Sequence, residues 1–164
     1  MSPPVTNRFR PSAKGVVVVD DRVLVTRNQT PGEGGPDWHI FPGGGQRPGE
    51  TLHGALVREV REETGIEVMP GRLLWVRELI IALRSEWPFD AHGSGDHALE
   101  FMFEATFVHD HGDAYEEDLY QTAVEWVTPD ELAALRFYPA GLVPVLRTYV
   151  SSGESGLVYL GDID

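Results

Sequence analysis

The chain has no cysteine among its 164 residues. That excludes a disulfide framework and thiol chemistry together. Basic residues are scarce as well: 13 Lys and Arg stand against 26 Asp and Glu, for a formal net charge of −13. Binding to a nucleic-acid backbone needs clustered cations, so this balance argues against a nucleic-acid partner. It does not exclude a small phosphate compound, because divalent cations bridge an acidic protein to an anionic substrate. No apolar run approaches the roughly 20 residues that a membrane-spanning helix needs. Residues 1–8 carry no apolar core of the kind found in signal peptides. These absences set the expectation of a cytoplasmic protein without a membrane partner.

What is present suits one domain with one core. The length lies near the common domain size, and a hydrophobic fraction of 41% is ordinary for a globular protein. Residues 1–12 read as a loose, proline-bearing arm, and 13–164 as a single domain. Residues 15–19 and 22–26 are two valine-rich runs around Asp20 and Asp21, a hairpin pattern. A Gly- and Pro-rich loop follows over 28–37, then a short strand at 38–41. Residues 51–64 carry a helical pattern. Residues 72–83 and 98–108 are the longest β-type runs, and 123–127 and 157–160 are shorter ones. Helices are expected over 129–135 and 139–150, each beginning at or near a proline. Strands interleaved with helices predict an α/β fold layered as α/β/α around a sheet.

The most informative segment is the helix at 51–64. Glu59, Glu62 and Glu63 occupy positions i, i+3 and i+4, so they project from neighbouring points on one side. At about 100° per residue, Leu52, Ala55 and Leu56 share one arc, with Val60 at its margin. Glu59 and Glu63 fall inside that arc and Glu62 at its edge, while Gly54, Arg58 and Arg61 lie opposite. A solvated acidic face would place the glutamates away from the leucines. Carboxylates aimed along a buried stripe need compensation, and a hard divalent cation with a preference for carboxylate oxygen supplies it.

The flanks of the helix point the same way. Pro42, Gly43, Gly44 and Gly45 read as a tight turn where backbone approaches a ligand closely. A second turn, Pro48 and Gly49, leads to a helix start capped by Glu50 or Thr51. Gly65 is a natural stop for the helix.

With these residues assembled, the chain resembles the Nudix hydrolases. Their signature runs Gly, five residues, Glu, seven residues, then Arg-Glu-aliphatic-x-Glu-Glu-x-Gly-aliphatic. Gly44, Glu50, Arg58, Glu59, Val60, Glu62, Glu63, Gly65 and Ile66 fill every fixed position. The segments 38–44 and 125–132 resemble the family's flanking elements. The resemblance implies a Nudix-type α/β/α sandwich with a mixed β-sheet, and metal-dependent hydrolysis of a phosphoanhydride bond with Mg²⁺ or Mn²⁺ as cofactor. It further implies Glu59, Glu62 and Glu63 as metal ligands joined by the backbone carbonyl of Gly43, Glu50 as an auxiliary carboxylate, and Arg58 as a residue that orients the glutamates. For Arg58 the simpler alternative is a surface i, i+4 partner of Glu62. The general base is a box glutamate or a carboxylate on a late loop, where Glu116 and Glu117 compete with a plain solvated acidic surface.

The substrate is set outside the box. The implied partner is a small nucleoside diphosphate derivative, with nucleoside triphosphates, nucleotide sugars or another diphosphate left open. The segment 84–97 is long for a simple connection, and Trp87 or Phe89 on it either stacks on a nucleobase or pins the loop to the core. Arg27, Arg77 and Arg84 are candidates to meet phosphate. The proline that marks many ADP-ribose hydrolases and the tyrosine associated with dinucleoside polyphosphate hydrolases are both missing at Ile81-Ala82-Leu83. The apolar β-runs permit a homodimer. The alternative to catalysis is a silent nucleotide-binding regulatory domain, although such domains usually lose box glutamates and this chain retains them all.

Overall fold

The computed structural model describes residues 9–30, 32, 34–80, 97–114 and 120–164. Among them the strands form two sheets. The larger has the order β5 (Gly43–Gly45), β1 (Phe9–Val16), β7 (His97–Asp110), β6 (Ile66–Ile80), β9 (Tyr159–Asp162). It is mixed: β1 runs parallel to β7 and β9 parallel to β6, while β5 with β1 and β6 with β7 are antiparallel. In the smaller sheet β3 (Arg22–Asn28) pairs antiparallel with β2 (Val18–Val19), β4 (Trp38–Ile40) and β8 (Gln121–Val127). The expected hairpin is β2 and β3. Asp20 and Asp21 form its two-residue loop with φ of 49° and 60°, the positive values a type I′ turn requires.

Alternation along the strands gives each sheet two buried faces. Ala13, Val17, Leu24 and Phe103 pack with Ala55, Leu56 and Val60 of helix α1 (Leu52–Thr64). Val16, Val23, Val25, Trp75 and Met102 pack on the other side with Leu132, Leu146 and Tyr149. Those last three belong to helices α2 (Pro129–Ala133) and α3 (Val143–Ser152). The result is the expected α/β arrangement with sheet between helices. No helix among the described residues is long and apolar enough to cross a membrane.

Several boundaries differ from the sequence reading, each for a nonlocal reason. Residues 9–12, placed in the arm, are strand, because Phe9 to Ser12 pair in register with His97 to Glu100. Gly43–Gly45, read as a turn, is strand β5, drawn into the sheet by Ser12, Ala13 and Lys14. Strand β6 begins at Ile66, directly after the helix, and its Pro70 sits beside a register irregularity, a place where a strand tolerates proline. The helix expected over 139–150 starts with a 3-10 turn at Ala140–Leu142, and α3 has proline in its first turn.

Candidate active site

Helix α1 is fixed at both ends by its own sequence. The Thr51 hydroxyl accepts from the Gly54 amide at 3.0 Å, so Thr51 rather than Glu50 is the cap. Gly65 ends the helix with φ of 74°. Ala55, Leu56, Val60 and Thr64 are buried, and complete burial of a leucine or valine side chain contributes about 1.5–3 kcal/mol. That packing holds the glutamate side of the helix beneath β5, and Glu59, Glu62 and Glu63 are half-buried there.

Two glycines of β5 make the close approach possible. A Cβ on Gly44 would sit 2.5 Å from Glu59 Oε2. A Cβ on Gly43, whose φ is 134°, would overlap the Ala13 carbonyl. The Gly43 amide donates to Glu63 Oε2 at 2.9 Å, and its carbonyl accepts from Lys14 Nζ at 2.6 Å. One glycine thus ties strand, helix and a lysine together.

Arg58 is the electrostatic centre of the cluster. Its guanidinium donates to both oxygens of Glu50 at 2.8 and 2.9 Å, to Glu59 Oε1 at 2.6 Å and to Glu62 Oε2 at 3.1 Å. A fifth bond, at 3.1 Å, reaches the Gly45 carbonyl. The side chain is 17% exposed, so Arg58 is far more than a surface partner of Glu62. Although its Cα lies opposite the leucines, the long side chain folds back toward β5. These bonds and the Arg47 amide pull the Glu50 carboxyl down to about 2. The hydrogen bonds it donates to Glu50, and then to Glu59 and Glu62, raise the Arg58 guanidinium further above its ordinary value.

The donor set suits a hard cation. Glu50, Glu59, Glu62 and Glu63 offer oxygen alone; Arg58 pairs with the first three and Arg47 reaches Glu62 at 3.9 Å. Among the described residues no three acidic or histidine side chains converge into a closed metal cluster; Arg58 gathers three of the carboxylates instead. An all-oxygen donor set is the chemistry a divalent ion prefers, and Glu59, Glu62, Glu63 and the Gly43 carbonyl are the groups that would hold one.

The remaining candidates divide in two. Arg27 is occupied by Glu125 at 3.2 Å and Asp37 at 3.8 Å. Arg77 is 2% exposed and bonded to Glu100 at 2.5 Å and to the Ile163 carbonyl at 3.1 Å, a place in the core rather than at a phosphate. Arg84, Trp87, Phe89, Glu116 and Glu117 lie outside the described residues. Lys14 escaped the sequence reading; the available signal was that it is the single lysine of the chain.

Comparison with known proteins agrees with this geometry. The NUDIX domain profile matches residues 9–149. The uncharacterized Nudix hydrolase YvcI of Bacillus subtilis is 35% identical over 95 residues, covering 58% of this chain and 50% of that protein. Mouse diphosphoinositol polyphosphate phosphohydrolase 3-alpha is 56% identical over 43 residues, covering 26% of each chain. The chain thus spans half or less of the length of these relatives. The crystal structure of a mutator MutT protein from Bacillus halodurans superposes with a TM-score of 0.64 at 27% identity, covering 93% of this chain and 88% of that one.

Proposed function

This chain belongs to the Nudix hydrolase family, and on that premise we propose that it hydrolyses the diphosphate bond of a small nucleoside diphosphate derivative, a nucleoside triphosphate or a nucleotide sugar, with Mg²⁺ or Mn²⁺. The family typically cleaves pyrophosphate bonds and generally uses divalent metal ions. The observation that supports a working site is the three carboxylates gathered by Arg58, with Glu63 on the Gly43 amide, under a strand whose glycines leave room for Glu59.

Water adds to one phosphorus, the bridging P–O bond breaks, and the departing phosphate takes the bond's electron pair. The water proton passes to a carboxylate of the box. A divalent cation held by Glu59, Glu62 and Glu63 would supply charge neutralisation at the phosphate oxygens and make water more acidic. The protein's own part is positional. Arg58 orients Glu50, Glu59 and Glu62 by charge-assisted bonds, and Gly43 fixes Glu63 through its amide.

The test is a substrate panel with product mapping in Mg²⁺ and Mn²⁺. It should contain nucleoside triphosphates, nucleotide sugars and a diphosphoinositol polyphosphate, since a relative named for the last is 56% identical over 43 residues. Metal-dependent release of a nucleoside monophosphate supports the proposal. Cleavage confined to the inositol compound overturns the nucleotide assignment, and tight nucleotide binding without turnover supports the silent regulatory alternative.

A further inference from the structure

Lys14 is the one lysine in a chain of 13 basic residues, and it is half-buried on β1. The register of β1 against β5 sets Lys14 opposite Gly43, and Nζ donates to the Gly43 carbonyl at 2.6 Å. That is its one hydrogen bond among the described residues, and no carboxylate there lies within ion-pair distance of it. The same carbonyl belongs to the ligand set on which the proposed function rests. An ammonium ion on that oxygen does what a metal ion would do there, placing positive charge against the negative end of the carbonyl dipole.

We propose that Lys14 is a built-in competitor of the divalent cation: its ammonium holds the Gly43 carbonyl in the metal-free site, and metal binding must move it off. Two like-charged ions cannot share one carbonyl oxygen at low cost, so the lysine raises the metal concentration needed to fill the site. The released ammonium has an anionic place to turn. Ser12, two residues before Lys14 and so on the same face of β1, pairs in register with Glu100. Burial raises the Glu100 carboxyl, but the charges of Arg77 and then Lys14 outweigh it and leave this group below its ordinary value. Lys14 is thus a positioning residue between a carbonyl oxygen that it bonds and one carboxylate that feels its charge, an arrangement suited to exchanging the first for the second.

The experiment is Mn²⁺ binding without substrate, by calorimetry or by electron paramagnetic resonance of free Mn²⁺, on the wild type, Lys14→Met and Glu63→Gln. A unit charge a few ångström from a divalent ion in a partly solvated site should change affinity roughly tenfold, so Lys14→Met should bind Mn²⁺ about tenfold more tightly. Equal or weaker binding by Lys14→Met, with Glu63→Gln weakened, overturns the competitor role and leaves the metal site standing. Wild-type binding in Glu63→Gln overturns the metal site itself and the competitor with it. A second readout needs no substitution. In [13C]lysine-labelled wild type the only lysine gives one Cε signal, which should shift on saturation with Mg²⁺; a signal that stays in place shows that the ammonium was never displaced and refutes the inference.

Discussion

Gly44→Ala is the sharpest probe of how closely the helix carboxylates lie under the glycine strand. The added methyl would stand 2.5 Å from Glu59 Oε2 and 2.6 Å from its carboxyl carbon. Ordinary contact begins at 3.4 Å, so the carboxylate must retreat by about 1 Å. What moves is the end of a side chain, and Gly44 does not have positive φ, so the strand itself is spared. Misplacement of a catalytic group by about 1 Å costs up to about 100-fold in rate, equivalent to roughly 2.7 kcal/mol of transition-state stabilisation. The expected result is a fall of that order in kcat/KM for diphosphate cleavage, with the urea midpoint close to that of the wild type. Gly43→Ala is the contrasting control. There the methyl overlaps the Ala13 backbone and φ is 134°, so stability should fall by more than about 1 kcal/mol. If Gly44→Ala retains activity within threefold of wild type, the close packing of Glu59 against β5 has no catalytic meaning.

Three further outcomes follow from the same contacts. Arg58→Lys keeps the charge but loses the planar fork that serves Glu50, Glu59, Glu62 and Gly45; kcat/KM should drop at least about tenfold and stability by about 1–2 kcal/mol in urea melts. Arg77→Met strands Glu100 in the core and should cost about 3 kcal/mol, whereas Arg77→Met with Glu100→Leu should recover most of it. The folded-state pKa of Glu50 is depressed from 4.5 to about 2. Its contribution to stability is therefore fully present above pH 4.5 and is lost as pH falls toward 2. The urea midpoint should decline across that window, and Glu50→Gln should make the decline shallower; an unchanged slope would contradict the ion pairing.

Helix α1 was legible because all its determinants are local. The Thr51 cap, the leucine spacing, the glutamates among them and the Gly65 stop occupy one continuous stretch. Strand β5 was not legible, because three glycines have little strand preference of their own. Its pairing comes from β1, about thirty positions earlier. The contact of Lys14 with Gly43 depends on that same register, so neither residue announces the other. Arg77 read as a phosphate candidate since nothing near it in sequence reveals Glu100, its partner from β7. Pro70 and Gly71 hid the early start of β6, which only cross-strand pairing with β7 makes visible.

The most direct test of the reaction is turnover of one cleaved diphosphate compound by wild type and Glu62→Gln, across a titration of Mg²⁺ from a chelated start. Wild-type activity should be absent with chelator and rise to saturation with the metal. Glu62→Gln should lose at least a thousandfold while keeping the urea midpoint of the folded protein. Undiminished hydrolysis in chelator, or by Glu62→Gln, would contradict metal-dependent catalysis by the α1 carboxylates.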